Sequence, residues 1–254
     1  KVGGAWRNYP IYGNIYGGWD IEGMVFGVDD IVLDQNIMYR AVKDKMLSTL
    51  DGNGAWPRIA ANVVTAAAAP VKEVVVEGDA IDLEQYPWYK NNPADAGRYI
   101  NMGSTFLAHP TLKNVGTYRC QVKGKRKIGI NPEPGQHGWR ILMDLKRRGE
   151  KTAKVAIALG VDPIVWALSS TKLAGFAEDE LEIAGGIRGR AVDVVKAETS
   201  AVLIPAQAEM IIEGEIPLDE TEPEGPYGEM YGYLGAEKTR NFYVNVTRIT
   251  HRRD

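Results

Sequence analysis

The chain carries a single cysteine, Cys120, in 254 residues, which excludes an internal disulfide and suits a reducing compartment. A lone thiol with no paired histidine motif reads as a small core hydrophobe rather than a nucleophile. No apolar run approaches the length of a membrane span. The longest small-apolar stretch, residues 63–70, is mostly alanine, and no signal-peptide pattern opens the chain. A cytoplasmic protein with no membrane partner is therefore expected. Neither charge sign dominates: 30 basic against 33 acidic residues give a net charge of -3, no footprint for nucleic acid. The basic clusters Lys123-Gly-Lys-Arg-Lys127 and Lys146-Arg-Arg148 are short and read as a hairpin tip and a helix end. No G-x-G-x-x-G follows a strand, and no P-loop, zinc-spaced cysteines, H-E-x-x-H or nucleophile elbow appears.

What is present is enough apolar sequence, 44%, for one large domain or two small ones. Residues 1–70 read as a small α/β segment, with a strand over 21–28 and a helix over 36–50. In the latter, Ile37, Tyr39, Val42, Met46 and Leu50 recur at helical spacing. A second helix is expected over 57–68. From residue 71 the texture turns to strands, over 72–76, 98–107, 114–122, 126–130, 154–159, 191–196, 206–214 and 241–249. One helix, 138–151, interrupts them. Many strands, few helices and frequent glycine turns predict an α+β fold, a barrel or sandwich with helical insertions. The domain boundary is expected near residue 70. The chain opens on Lys1 and stops just after a strand-like segment, as a piece of a longer protein would.

Three places in this framework are chemically suggestive. Glu224-Gly-Pro-Tyr-Gly-Glu229 sets two carboxylates five residues apart across a turn that Pro226 keeps out of a helix and two glycines tighten. In Asn114-Val-Gly-Thr-Tyr-Arg119, strand alternation separates Asn114, Gly116 and Tyr118 from Val115, Thr117 and Arg119, and Arg119 offers a planar fork of donors. His137 lies between Gly135 and Gly138 in a turn. Asn114 and Glu180 complete with it an oxygen/nitrogen/oxygen set suited to Mn²⁺ or Mg²⁺ rather than zinc. Taken singly, a solvated turn, a surface strand and a structural histidine explain them as well.

Taken in order, they form a pattern. Asn114-x4-Arg119, Gln136-His137, Glu180-x2-Ile-Ala-Gly185 with Arg188-Gly189, Ala208-Glu-x-Ile-Ile-Glu-Gly214 and Glu224-Gly-Pro-Tyr-Gly-Glu229 resemble the UbiD family. These are the prenylated-flavin-dependent decarboxylases and carboxylases of aromatic and α,β-unsaturated acids. The resemblance runs from about residue 71 to the end, with a weaker match at Tyr12-Gly-Asn-Ile-Tyr-Gly-Gly18.

The resemblance implies a split β-barrel flavin-binding domain over residues 71–254. It implies prenylated FMN (supplied by a flavin prenyltransferase) and a divalent ion, usually Mn²⁺, on Asn114, His137 and Glu180. Thr117, Arg119 and Gln136 join these ligands around the cofactor. Arg119, Glu224 and Glu229 fall on the catalytic constellation, with Glu229 as proton donor, acting on a substrate–cofactor adduct that releases CO2. Some members also bind K⁺ at backbone carbonyls near residues 169–172. Here Lys172 and Leu112 depart from the residues those members carry, so the potassium site is less well supported than the divalent one. Family members commonly form homo-oligomers and carry a further C-terminal domain, before which this chain stops. Two other classes compete. One is a non-catalytic flavin-binding or assembly subunit of a carboxylase complex; the other, ranked last, is a flavin reductase, which has no use for the Asn–His–Glu set.

Overall fold

A computed structural model describes residues 44–228 and 233–253. The strand expected over 21–28 lies outside these residues, as does most of the helix expected over 36–50, of which 44–48 is helical.

Fifteen strands and three longer helices follow. The strands are β1 (Asn62–Val63), β2 (Val74–Glu77), β3 (Tyr99–Ile100), β4 (Ser104–Leu107), β5 (Val115–Thr117), β6 (Cys120–Gly124), β7 (Lys127–Ile130) and β8 (Thr152–Leu159). They continue as β9 (Asp193–Lys196), β10 (Leu203–Pro205), β11 (Met210–Pro217), β12 (Glu222–Glu224), β13 (Tyr227–Gly228), β14 (Leu234–Gly235) and β15 (Lys238–His251). The helices are α1 (His137–Arg147), α2 (Pro163–Ser169) and α3 (Glu180–Arg188).

The central sheet is antiparallel, in the order β3-β6-β7-β15-β11-β8-β4-β5, with β2 and β12 also pairing with β15. It curls into an open half-barrel. The topology explains the curl: β5 ends one side of the sheet and β6 lies next to the other side, yet only Tyr118 and Arg119 separate them in sequence. Three residue steps reach at most about 11 Å, so the two ends of the sheet must approach each other. This is the seam of the split barrel.

Both faces of the sheet are covered, so its strands alternate between two cores instead of between core and water. On β8, Ala156 and Ala158 join one cluster and Val155 and Ile157 the other; on β11, Ile211 and Ile212 divide the same way. The first cluster packs under Val165 and Leu168 of α2 and Ile183 and Ile187 of α3. The second packs under Ile141, Leu142 and Leu145 of α1. β11 is bulged at Glu213/Gly214, where a Cβ on Gly214 would lie 2.3 Å from the Asn245 carbonyl of β15. A smaller sheet, β1-β9-β10, holds the first described strand parallel to β9.

Two helices appear that the sequence reading lacked. Asp162 caps α2 by accepting from Ile164 N at 2.9 Å, with Pro163 at its first position; Asp179 caps α3 by accepting from Leu181 N at 2.9 Å. Conversely, the helix expected over 57–68 is absent. Its backbone is drawn outward to other elements, Ile59 N donating to Glu182 O of α3 and Asn62 N to Val192 O. The strand expected over 114–122 is broken at Tyr118–Arg119, where the chain crosses the seam. Among the described residues no helix is long and apolar enough to cross a membrane.

Candidate functional site

The site forms around the two seam residues. The Tyr118 side chain is buried, and its hydroxyl accepts from Gly138 N at 2.9 Å, satisfying an amide that the first turn of α1 leaves without a helical partner. Gly116 and Gly138 make room for it: a Cβ on either would lie 2.4 Å from that hydroxyl. Burial raises the Tyr118 pKa, and the nearby Glu180 charge acts in the same direction. The Asn114 amide lies close to this hydroxyl and works against the rise, while its Nδ2 is buried without a partner.

Glu180, at the start of α3, is buried and accepts from Val115 N at 3.0 Å. Burial pushes its carboxyl up to about 7, against the opposing pull of its own and the Val115 backbone amides. Asp179 and Glu178 push in the same direction as burial, and among the described residues no cation pairs with it. His137 opens α1, with its ring edge-on to Phe176 at 5.3 Å. Burial, then Arg140 and Lys172, hold its pKa below 6.5 and so favour the neutral imidazole.

Segments bearing Asn114, His137 and Glu180 thus meet around Tyr118. An amide oxygen, an imidazole kept neutral and a buried acid lacking a counter-charge form a donor set that fits a hard or borderline divalent cation. Among the described residues no three His, Cys, Asp or Glu side chains gather as a metal site; this set has two of those types plus an asparagine. Asn114 also lines a cavity of about 230 Å³, walled by Phe106, Leu112, Val115 and Leu181.

Arg119 turns to the other border of the seam. Its Nε and Nη2 donate to Glu224 Oε1 and Oε2 at 3.1 and 2.8 Å, a two-pronged pair in which Glu224 is 1% exposed. The guanidinium also lies 4.8 Å over the Tyr227 ring, which in turn packs on Tyr99 at 4.6 Å. Burial first, and then the Glu224 charge, raise the pKa of both the Tyr99 hydroxyl and the Cys120 thiol, so neither ionises near neutrality. Gly225, at φ 90°, takes a conformation that suits glycine and precedes a cis peptide to Pro226. The loop is clasped by three hydrogen bonds: Gly225 N donates to Gln121 Oε1 at 3.3 Å, Ala96 N to Pro226 O at 2.9 Å, and Gly228 N to Asp95 Oδ1 at 2.6 Å. Glu229 follows immediately and lies outside the described residues.

The remaining expected residues sit nearby in supporting contacts. Thr117 Oγ1 lies 2.9 Å from Ser169 Oγ and 3.1 Å from Ser170 Oγ at the end of α2. Gln136 Oε1 accepts from Glu133 N at 2.7 Å, closing the turn before His137. Sequence reasoning missed a polar network beside Arg119. Asn131 N donates to Arg119 O, and the Asn131 side chain connects Lys238, Asn241 and Glu133. Burial pushes the Glu133 pKa up, but Lys238, Asn131 and Arg119 together outweigh it and leave the carboxyl below its ordinary range. Lys238 and Asn241 lie 107 and 110 residues from Asn131, so no local pattern announces the network.

Comparisons with known proteins show the family and the fold. The family model described as the 3-octaprenyl-4-hydroxybenzoate carboxy-lyase Rift-related domain of UbiD matches residues 62–254, and the chain belongs to the UbiD family. It is 32% identical over 255 residues to a phenolic acid decarboxylase of Sedimentibacter hydroxybenzoicus, covering 96% of this chain and 50% of that protein. A phenolic acid decarboxylase of Bacillus subtilis is 30% identical over 256 residues, covering 98% and 51%. The chain therefore spans about half the length of the curated relatives it matches. Among solved structures, vanillic acid decarboxylase of Sedimentibacter hydroxybenzoicus in closed form superposes with a TM-score of 0.75 at 30% identity, covering 94% of this chain and 50% of that one. An evolved dimeric form of the UbiD-class enzyme HmfF from Pelotomaculum thermopropionicum, in complex with prFMN, gives 0.74 at 33% identity, covering 87% and 51%.

Proposed function

We propose that this chain is the flavin-binding part of an enzyme that reversibly decarboxylates an aromatic or α,β-unsaturated carboxylic acid on prenylated FMN. The observation that carries the reading is the buried Arg119–Glu224 pair at the barrel seam, flanked by the segments of Asn114, His137 and Glu180. Relatives named as decarboxylases and a neighbour solved with prFMN support it.

In this reading Asn114, His137 and Glu180 would hold Mn²⁺ or Mg²⁺, which would supply positive charge for binding the cofactor, and Thr117 and Gln136 would line the cofactor. Loss of CO2 from an sp² carbon leaves an electron pair with nowhere to delocalise, and prenylated FMN, when bound, supplies that sink. Arg119, held in place by its two hydrogen bonds to Glu224, would either orient the substrate carboxylate or serve as the fixed partner of Glu224. Glu229 delivers the proton to the carbon that has lost CO2. A flavin prenyltransferase supplies the cofactor, and an oligomeric or multi-subunit assembly is expected, as in the dimeric HmfF form.

Co-expression with a flavin prenyltransferase tests the proposal. Retained flavin absorbance together with CO2 release from a hydroxybenzoate panel is expected. Glu229→Gln is expected to keep the absorbance and lose turnover. Wild-type protein without retained flavin would remove the reading.

A further inference from the structure

The segment between β4 and β5 carries Asn114, and a buried histidine that the proposed chemistry does not use fixes its course. The His109 side chain has no solvent exposure. Its Nδ1 accepts from Thr111 N at 3.2 Å and Leu112 N at 2.9 Å, so the ring proton sits on Nε2, which donates to Asp144 Oδ2 at 2.9 Å. Asp144 belongs to α1, two helical turns beyond His137, and Arg147 and Arg148 hold it as well. At its other end the segment is tied to α3, by Lys113 Nζ to Asp179 Oδ2 at 2.7 Å and by Val115 N to Glu180 Oε2 at 3.0 Å.

The segment therefore bridges helices on opposite faces of the sheet, with Asn114 between the two attachments. The attachments differ in kind. The Lys113 side chain is 64% exposed and such surface pairs contribute little, so the α3 end rests on the buried Val115–Glu180 bond, whereas the α1 end rests on the His109 ring, which is itself withdrawn from water.

We infer that His109 is a positioning residue: through Asp144 it sets where Asn114 stands relative to His137. The geometry is independent of the proposed function, while the consequence for cation binding rests on it. The test compares His109→Ala and His109→Gln, because a glutamine amide can still donate to Asp144. Two quantities are measured: amide hydrogen exchange in metal-free protein, and Mn²⁺ affinity from the free-ion electron paramagnetic resonance signal.

The inference expects the alanine variant to speed exchange at Val115 and Gly138, whose partners Glu180 and Tyr118 lie off the 109–112 turn. It also expects Mn²⁺ binding to weaken about ten- to hundredfold, in the range of lost outer-shell contacts. Glutamine should recover most of both. Exchange changes confined to Thr111 and Leu112, with Mn²⁺ affinity unaltered, would overturn the inference and leave His109 a local turn residue. Wild-type protein that takes up no Mn²⁺ removes the cation reading, and exchange at Val115 and Gly138 then decides the role of His109 alone. Should the alanine variant not fold, Asp144→Ala breaks the same contact from the helix side and is read by the same amides.

Discussion

Arg119, at the seam of the half-barrel, meets Glu224 through two hydrogen bonds, and the carboxylate is almost completely withdrawn from water. A buried acid is costly unless it is paired, so the two residues depend on each other unequally. Arg119 keeps 15% side-chain exposure and tolerates loss of its partner better.

Arg119→Ala is accordingly expected to cost about 3–5 kcal/mol, the range for stranding one member of a buried pair. Glu224→Gln removes the charge with it and should cost less. Urea unfolding of the two variants measures the difference. Equal stability of wild type and Arg119→Ala would show that the pair does not stabilise the fold.

Tyr118→Phe leaves the Gly138 amide buried without an acceptor, an expected loss of about 1–3 kcal/mol. Gly116→Ala drives a methyl group into the same hydroxyl, and overpacking of this kind costs about 1–3 kcal/mol. Because both changes act on one contact, their effects in a double mutant should depart from additivity. Thermal or urea unfolding of the four-member cycle reads this directly.

The Asp144 carboxyl is held down to about 2 from an ordinary 3.8, chiefly by Arg148 and next by His109. A folded pKa below the unfolded one contributes stability that is present above about pH 4 and is lost as pH falls through about 2. Carboxyl-carbon NMR titration should therefore find Asp144 titrating near 2. Arg148→Ala should move it upward further than His109→Ala does. The reverse order would contradict the ranking of the two partners.

Legibility in the sequence followed the range of each interaction. Strand positions such as 126–130 and 154–159 were readable because β-branched and small apolar residues recur there between glycine turns. The helices α2 and α3 were missed although their starts are written locally, as Asp162-Pro163 and Asp179. Their sequences, Pro-Ile-Val-Trp-Ala-Leu-Ser and Glu-Leu-Glu-Ile-Ala-Gly-Gly-Ile-Arg, are short and carry too few polar residues to mark a helical period. The contact between Arg119 and Glu224 spans 105 residues and came only from family resemblance. Nothing local announced that His109 is buried against Asp144, 35 residues on, or that Tyr118 rather than a ligand fills the space beside Gly116. For Arg119 and His109 the decisive partner is supplied by tertiary packing that no short window of sequence contains.

The most direct test of the account is the linkage between flavin and metal. If Asn114, His137 and Glu180 hold a cation against the cofactor phosphate, Mn²⁺ must tighten FMN binding by the same factor by which FMN tightens Mn²⁺. Calorimetric titration of FMN with and without Mn²⁺ is expected to show this coupling in the wild type and its loss in Glu180→Gln. FMN affinity that is indifferent to Mn²⁺, or coupling that survives in Glu180→Gln, would contradict it.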